Sequence, residues 1–248
     1  MININIYSIF GVPPYSFFAA MAFLAGYTVL CFVLRGHSAE YRVLPRFAFR
    51  EPAYVITGGY FVGILIGLAM GVYKGNIYCG FSNGVGFVAY GGIFGTLLCT
   101  VRHSKRYKLD MGLMLDSISC AVAVAHGIAR LGCLTAGCCY GIEYHGALAV
   151  HYVSNDMYCF PVQLAETVLN ILLGITLICL FFKYKFKGRL VYVYLITYSI
   201  YRFVLEFFRG DTIRGIFGVF SSSQYISAAV FVETMISILK KLKTSEKN

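Results

Sequence analysis

Four residues near the end of one apolar stretch have the types and spacing to grip an anion. Tyr198, Arg202, Glu206 and Arg209 follow one another at intervals of 4, 4 and 3, so a helix carries them on one face. Arg202 and Glu206 can pair across one turn, which offsets the cost of burying either charge. One carboxylate cannot neutralise two guanidiniums, and a surplus guanidinium near a membrane surface suits a phosphate, which arginine grips bidentately. A structural ion pair locking two helices is the plainer use of the same residues.

A second group lies upstream. His126 and Arg130 are one helical turn apart, and a neutral imidazole there can accept a proton. Helix packing is the plainer role for His126 alone. Arg130 leads into Leu131, Gly132 and Cys133, then Gly137, Cys138, Cys139, Tyr140 and Gly141. With Cys159, His145 and His151 nearby, zinc is one reading of these cysteines. The Cys-x4-Cys-Cys spacing is not that of a zinc knuckle. The predicted position of the loop outside the cytoplasm favours a disulfide over a metal. A third stretch, Gly84-x-Gly86 followed by Tyr90, Gly91, Gly92 and Gly95, leaves backbone uncovered. Small residues at that spacing serve close helix packing, and they also let a lipid head group approach the backbone.

These groups sit in a chain built for lipid. Of 248 residues, 58% are hydrophobic and 13% charged, against about 25% charged in an ordinary soluble domain; the mean hydropathy is +0.71. A soluble enzyme, a disordered chain and a nucleic-acid binder all fit poorly. At roughly 20 apolar residues per crossing, the pattern predicts an all-α polytopic membrane protein with seven transmembrane helices. The expected spans run over residues 15–34, 53–73, 84–101, 111–131, 161–182, 190–208 and 224–239. One integral membrane domain over residues 1–248 is expected, with no cleavable signal peptide, since no basic residue precedes the first span.

The net charge of +10 resolves into a topology signal. Arg35, Arg42, Arg46, Arg50, Arg102, Lys105, Arg106, Lys108, Lys183, Lys185, Lys187, Arg189, Lys240, Lys241, Lys243 and Lys247 fall in one set of alternate loops, 16 in all. The other set holds 3: Lys74, Arg209 and Arg214. Basic residues stay on the cytoplasmic side, which places the N-terminus outside and the C-terminus in the cytoplasm. Asp116, Arg130, Glu166, Arg202, Glu206 and Glu233 remain in or near spans. A charge at mid-membrane costs about 2.5–3.5 kcal/mol on insertion scales, so each needs a partner or a task; for Glu233 an interfacial or structural place is expected.

In their order along the chain these stretches resemble the prolipoprotein diacylglyceryl transferase family. The resemblance rests on Pro14-Tyr15, Tyr90-Gly91-Gly92 through Gly95, Asp116, and Arg130-Leu131-Gly132-Cys133. It continues through Gly137 to Gly141, Pro161 to Leu164, Tyr198 to Asp211, and Ser223-Gln224. It covers nearly the whole chain. Two positions depart from the usual pattern. The family's His-Gly-Gly reads Tyr90-Gly91-Gly92, and its Arg-x-Gly-Asn reads Arg130-Leu131-Gly132-Cys133. The Tyr-Gly-Gly and Gly-Cys-Cys-Tyr-Gly motifs together resemble a divergent branch.

The resemblance implies a seven-helix transferase of the bacterial cytoplasmic (inner) membrane. It would move diacylglyceryl from phosphatidylglycerol, or another anionic glycerophospholipid, to the lipobox cysteine thiol of a preprolipoprotein, releasing glycerol phosphate. No metal and no organic cofactor are implied. Arg130, Arg202 and Arg209 would bind phosphate and Glu206 would orient Arg202. Tyr15, Tyr90 and Tyr198 would hydrogen-bond the glycerol or phosphate, beside Gly91, Gly92 and Gly132. His126 is the candidate base, because tyrosine, with a free pKa of about 10, is the weaker one at neutral pH. Two alternatives keep the fold: a transferase with a glycan or small-molecule acceptor, and a lipid-binding or transport protein without chemistry.

Overall fold

In hydrocarbon every backbone N–H and C=O must find its partner inside the chain, so apolar runs of this length become helices. The computed structural model describes residues 2–4, 12–73, 75, 88–152, 156–184, 188–211 and 216–245. Its long helices are α1 (Pro14–Leu34), α2 (Ser38–Tyr73), α3 (Ala89–Tyr107), α4 (Met111–Thr135), α5 (Val162–Lys183), α6 (Leu190–Leu205) and α7 (Ser222–Ser245). A single 3-10 turn, Glu206–Phe208, extends α6. Of these, α1, α2, α4, α5 and α6 with its turn are long and apolar enough to cross a bilayer. The protein is a mostly helical, multi-pass membrane protein. In contrast, α3 carries Arg102, Lys105 and Arg106 in its second half, and α7 opens on Ser222, Ser223 and Gln224 and closes on lysines. Gly84 and Gly86, at the start of the third expected span, lie outside the described residues, as do Lys74, Lys185, Lys187, Arg214 and Lys247.

Two features differ from the expectation. The second helix begins at Ser38, fifteen residues before Ala53, and runs through Pro45 and Pro52 for 36 residues. At 1.5 Å per residue that is about 54 Å, well beyond a hydrocarbon core of roughly 30 Å. Its charged first half is tied to neighbours instead. Glu40 accepts the Asp110 amide at 3.2 Å, and Glu51 accepts from the Thr96 hydroxyl at 3.0 Å. The chain is also not wholly helical. Strands β1 (Ile2–Ile4), β2 (Val150–Tyr152) and β3 (Met157–Cys159) form one small sheet in that order, β1 parallel and β3 antiparallel to β2. A hairpin, β4 (Ile216–Phe217) with β5 (Phe220–Ser221), precedes α7.

The centre of the bundle is α4, which packs along α1 and α5 and touches α3 and α6. The Asp116 carboxylate accepts the amides of Gly188 and Leu190, each at 2.8 Å. It thereby caps the start of α6 and ties it to α4. A capping box starts α7: Ser221 Oγ accepts the Gln224 amide at 3.3 Å and Gln224 Oε1 accepts the Ser221 amide at 2.9 Å. Helices α2 and α3 meet along a seam of glycines. A side chain at Gly91 would run into the carbonyl of Gly58, and one at Gly95 into the carbonyl of Tyr54.

Gly95→Val should therefore force the seam apart, at about 1–3 kcal/mol, and lower the thermal unfolding temperature of the detergent-solubilised protein. Gly36→Ala, where an added Cβ meets nothing within 4 Å, should leave that temperature unchanged.

Candidate active site

Three helices bring their charges to one place. Glu166 on α5 stands between Arg130 of α4 and Arg202 of α6: its Oε2 pairs with Arg130 Nε, and its Oε1 accepts from Arg202 Nη1 at 2.6 Å. Arg202 Nη2 then reaches Glu206 Oε2 at 2.9 Å, and Glu206 Oε2 lies 3.4 Å from Arg209 Nη1. Arg209 closes the series with a bidentate pair to Asp211, at 2.8 Å from Nε and 2.5 Å from Nη2. The result is an alternating ladder, Arg130–Glu166–Arg202–Glu206–Arg209–Asp211. None of the six is more than 8% exposed.

The ladder corrects the expected surplus of positive charge. Glu166 and Asp211 supply carboxylates that the spacing of α6 alone does not reveal, so three acids face three guanidiniums. Removing either partner of such a pair strands a buried charge. What a phosphate can still use is N–H geometry, since a guanidinium has five donors. Arg130 gives Nε to Glu166 and turns Nη1 towards Cys133 Sγ at 3.9 Å.

Polar groups line the ladder. Arg202 Nη2 donates to Ser223 Oγ at 3.3 Å. Ser227 donates to the Ser223 carbonyl at 2.7 Å and shares a 2.6 Å hydrogen bond with the Tyr90 hydroxyl. A hydroxyl has one proton, so with that of Ser227 committed to the carbonyl, Tyr90 is the donor. The Tyr90 ring meets Tyr198 edge-on at 5.3 Å, and the His126 ring lies 5.3 Å from Tyr198. The Tyr194 and Tyr198 hydroxyls and His126 Nδ1 are buried with no hydrogen-bond partner among the described residues. Buried polar atoms without partners are rare, and here three gather beside the ladder.

The segment after α4 forms the rim. Gly137 (φ +67°) and Cys139 (φ +61°) take the left-handed conformation, which folds the chain back on itself. Gln163 Nε2 then fixes the turn by donating to the Cys138 carbonyl and to the Tyr152 hydroxyl, each at 2.8 Å. Backbone bonds from Ile142 to the Phe208 carbonyl, 2.9 Å, and from Gly210 to the Tyr140 carbonyl, 3.0 Å, dock this rim on Arg209. The sulfurs of Cys133, Cys138 and Cys139 lie within 4.8 Å of one another. The expected disulfide is not formed: the described cysteines are all free. Contacts with Cys133 and Cys138, reinforced by Arg130 and Arg209, hold the Cys139 thiol well below its ordinary value. Burial pushes the Tyr152 phenol up.

The remaining candidates fall around this centre. Tyr15, 43% exposed at the start of α1, has the Cys133–Cys139 turn and Arg130 as electrostatic neighbours. Gly132 lies against that same helix start, where a Cβ would meet Phe18 at 3.0 Å. Gly92 is buried near the start of α3. Gly91 faces α2, so its missing side chain is taken up by helix packing. Asp116 and Gln224 cap helices, and Glu233 is exposed. Sequence reasoning left Glu166, Asp211, Tyr194, Ser223 and Ser227 out of the site. Glu166 carried a signal as an acid inside a span, and Asp211 and Ser223 lay within stretches that carry the resemblance.

The sequence model of the family described as prolipoprotein diacylglyceryl transferase matches residues 2–240. The chain belongs to the prolipoprotein diacylglyceryl transferase family. It is 35% identical over 154 residues to phosphatidylglycerol--prolipoprotein diacylglyceryl transferase 2 of Clostridium perfringens (strain 13 / Type A), covering 60% of each chain. It is 34% identical over 149 residues to a phosphatidylglycerol--prolipoprotein diacylglyceryl transferase of Clostridium tetani (strain Massachusetts / E88), covering 58% of this chain and 59% of that one. A Clostridium novyi (strain NT) relative of the same description is 27% identical over 168 residues, covering 62% and 63%. The matched stretches thus span about 60% of the length of these relatives. Within the family frame, the two departures occupy defined places. Tyr90 is hydrogen-bonded to α7 beside the ladder, and Cys133 lies against Arg130.

Glu166→Gln should remove the charge that Arg130 and Arg202 share and cost about 3–5 kcal/mol. Denaturant or thermal unfolding in micelles would register the loss, and an unchanged midpoint would contradict the ladder.

Proposed function

We propose that this protein is a transferase of the bacterial cytoplasmic membrane. It moves the diacylglyceryl group of phosphatidylglycerol to the lipobox cysteine thiol of a preprolipoprotein and releases glycerol phosphate. The observation that carries the reading is the buried ladder from Arg130 to Asp211, lined by hydroxyls and an imidazole without partners, in a chain of this family. All seven long helices cross the membrane in this reading, with the N-terminus outside and the C-terminus in the cytoplasm, following the placement of Lys and Arg.

The thiolate sulfur attacks the glyceryl carbon that bears the phosphate. A C–S bond forms, the C–O bond breaks, and its electron pair leaves on phosphate. Negative charge grows on that oxygen, and preorganised donors in a water-poor site stabilise it far better than water does. Arg130 has N–H groups to spare beyond Glu166 and is the first candidate for the phosphate. Arg202 and Arg209 are held by their carboxylates so that the electrostatic field is set before substrate arrives. His126 takes the thiol proton through Nδ1. The Tyr198 hydroxyl bonds the glycerol head, joined by the exposed Tyr15 from the rim. Tyr90 has its proton directed at Ser227 and offers the substrate only an acceptor oxygen. The apolar helix faces take the acyl chains.

One observation favours a different acceptor, a glycan or small molecule: the family's histidine and asparagine are Tyr90 and Cys133 here. Complementation of a strain lacking lipoprotein diacylglyceryl transferase separates the two, since only a lipoprotein acceptor restores growth.

With labelled phosphatidylglycerol and a lipobox peptide, the wild-type protein should release glycerol phosphate. Arg130→Ala should slow release by about 100-fold or more, and Arg202→Ala should abolish it while the protein still inserts. Full activity of Arg202→Ala would sink the assignment. A fluorescent protein fused after Asn248 should fluoresce, as it does only in the cytoplasm.

A further inference from the structure

The thiol turn is unused by the chemistry above, yet it is built. Its three sulfurs converge to within 4.8 Å of one another, although Cys138 and Cys139 are adjacent and ordinarily point apart. Convergence requires the left-handed backbone at Cys139, a conformation uncommon in a residue with a side chain. The Cys138 carbonyl is clamped by Gln163, whose other contact is the buried Tyr152. A zinc–sulfur bond of about 2.3 Å places tetrahedral ligands about 3.8 Å apart, so the trio needs to contract by less than about 1 Å. Three thiolates around a divalent ion leave one negative charge. Arg130, with Nη1 already 3.9 Å from Cys133 Sγ, is placed to meet it.

We propose that Cys133, Cys138 and Cys139 bind a thiophilic divalent cation of the zinc class, with one coordination position left open for the acceptor thiol. This deepens the proposed transferase reading and rests on it for the identity of the fourth ligand. A site with three protein ligands and an open position is the arrangement that catalytic zinc takes. A thiol bound to such an ion loses its proton outright while staying nucleophilic. The acceptor R–SH forms a metal–sulfur bond and loses its proton to water at the rim, where Cys138 is exposed, rather than to His126. The sulfur then forms the C–S bond as phosphate leaves with the C–O electron pair, and the neutral thioether, a poorer ligand, departs. No oxidant or reductant enters. The arrangement also suits a departure from the family pattern. Cys133 replaces an amide by a soft ligand, and the metal takes over the thiol activation otherwise left to His126.

The test is cobalt(II) binding to the full-length protein, reduced and purified in detergent. Wild type should take up one cobalt per chain, with thiolate-to-cobalt charge-transfer bands and the intense d–d bands of a tetrahedral site. Zinc should displace it. Cys133→Ser, Cys138→Ser and Cys139→Ser should each weaken binding at least tenfold, and Cys179→Ser, exposed on α5, should bind as wild type. Circular dichroism confirms that each variant is folded. Adding a lipobox peptide should shift the charge-transfer bands, and its serine counterpart should not. Cobalt uptake that survives in all three serine variants, or no uptake by the reduced wild type, overturns the site. A spectrum indifferent to the cysteine peptide overturns the acceptor position. Cobalt bound as expected, with no glycerol phosphate released to any acceptor, instead overturns the transferase reading.

Discussion

The carboxylate of Glu166 lies between guanidiniums from two other helices, and this shared charge governs how α4, α5 and α6 can pack. In a low-dielectric interior an unpaired ion costs several kcal/mol, and a pair recovers that only with close geometry and its remaining hydrogen bonds satisfied. Here each charge from Glu166 to Arg209 has an opposite charge on both sides. Opposite charges on both sides offset the cost of burial, and they do so only if the three helices keep their present rotation and height. Asn170 strengthens the constraint by accepting from the Tyr201 hydroxyl at 2.7 Å, a second link between α5 and α6 one turn from Glu166.

The other end of α6 is held as firmly. Asp116 on α4 caps its start, and through Glu166 Arg130 meets Arg202 near its end. From Asp116 to Arg130 is about 21 Å along α4, and from Leu190 to Arg202 about 18 Å along α6. Two polar ties at matched heights make these helices parallel neighbours, with α5 returning between them. Their ends then share one side, where the thiol turn after α4 docks on Arg209 after α6. A chain that alternates direction at every crossing puts α4 and α6, separated by the single crossing of α5, parallel.

Much of this was legible in the residues, and what was not has physical reasons. Apolar runs announced the helices because lipid allows little else. Ser38–Pro52 was not announced, since its arginines mask a helix held by tertiary contacts to Asp110 and Thr96. The pairing of Ile2–Ile4 with Val150–Tyr152 leaves no periodicity to read in three-residue strands. Arg202 and Glu206 were legible as a pair because one helix turn joins them. Glu166 was visible only as a charge in want of a partner, because its partners come from α4 and α6. Asp211, beyond the helix, carried no helical spacing at all. The same limit produced the mistaken surplus of arginine, since a count along one helix omits acids from its neighbours. Gly91 shows the converse: an uncovered backbone in sequence is covered in space by α2.

Tyr90 and Cys133 look like separate substitutions, but the ladder makes them one question of charge. A histidine at position 90 could titrate and add a proton to a centre that is otherwise balanced, three acids against three guanidiniums. Tyr90, with its proton directed at Ser227, adds no charge. The charge balance is then open only at the end of the ladder, where Arg130 faces Cys133 rather than a further carboxylate. That end is the one guanidinium of the series with a carboxylate on one side and sulfur on the other. Negative charge arriving there, as a thiolate or as a phosphate oxygen, completes the alternation instead of disturbing it, so the same constraint that fixes the helices also selects where chemistry can occur.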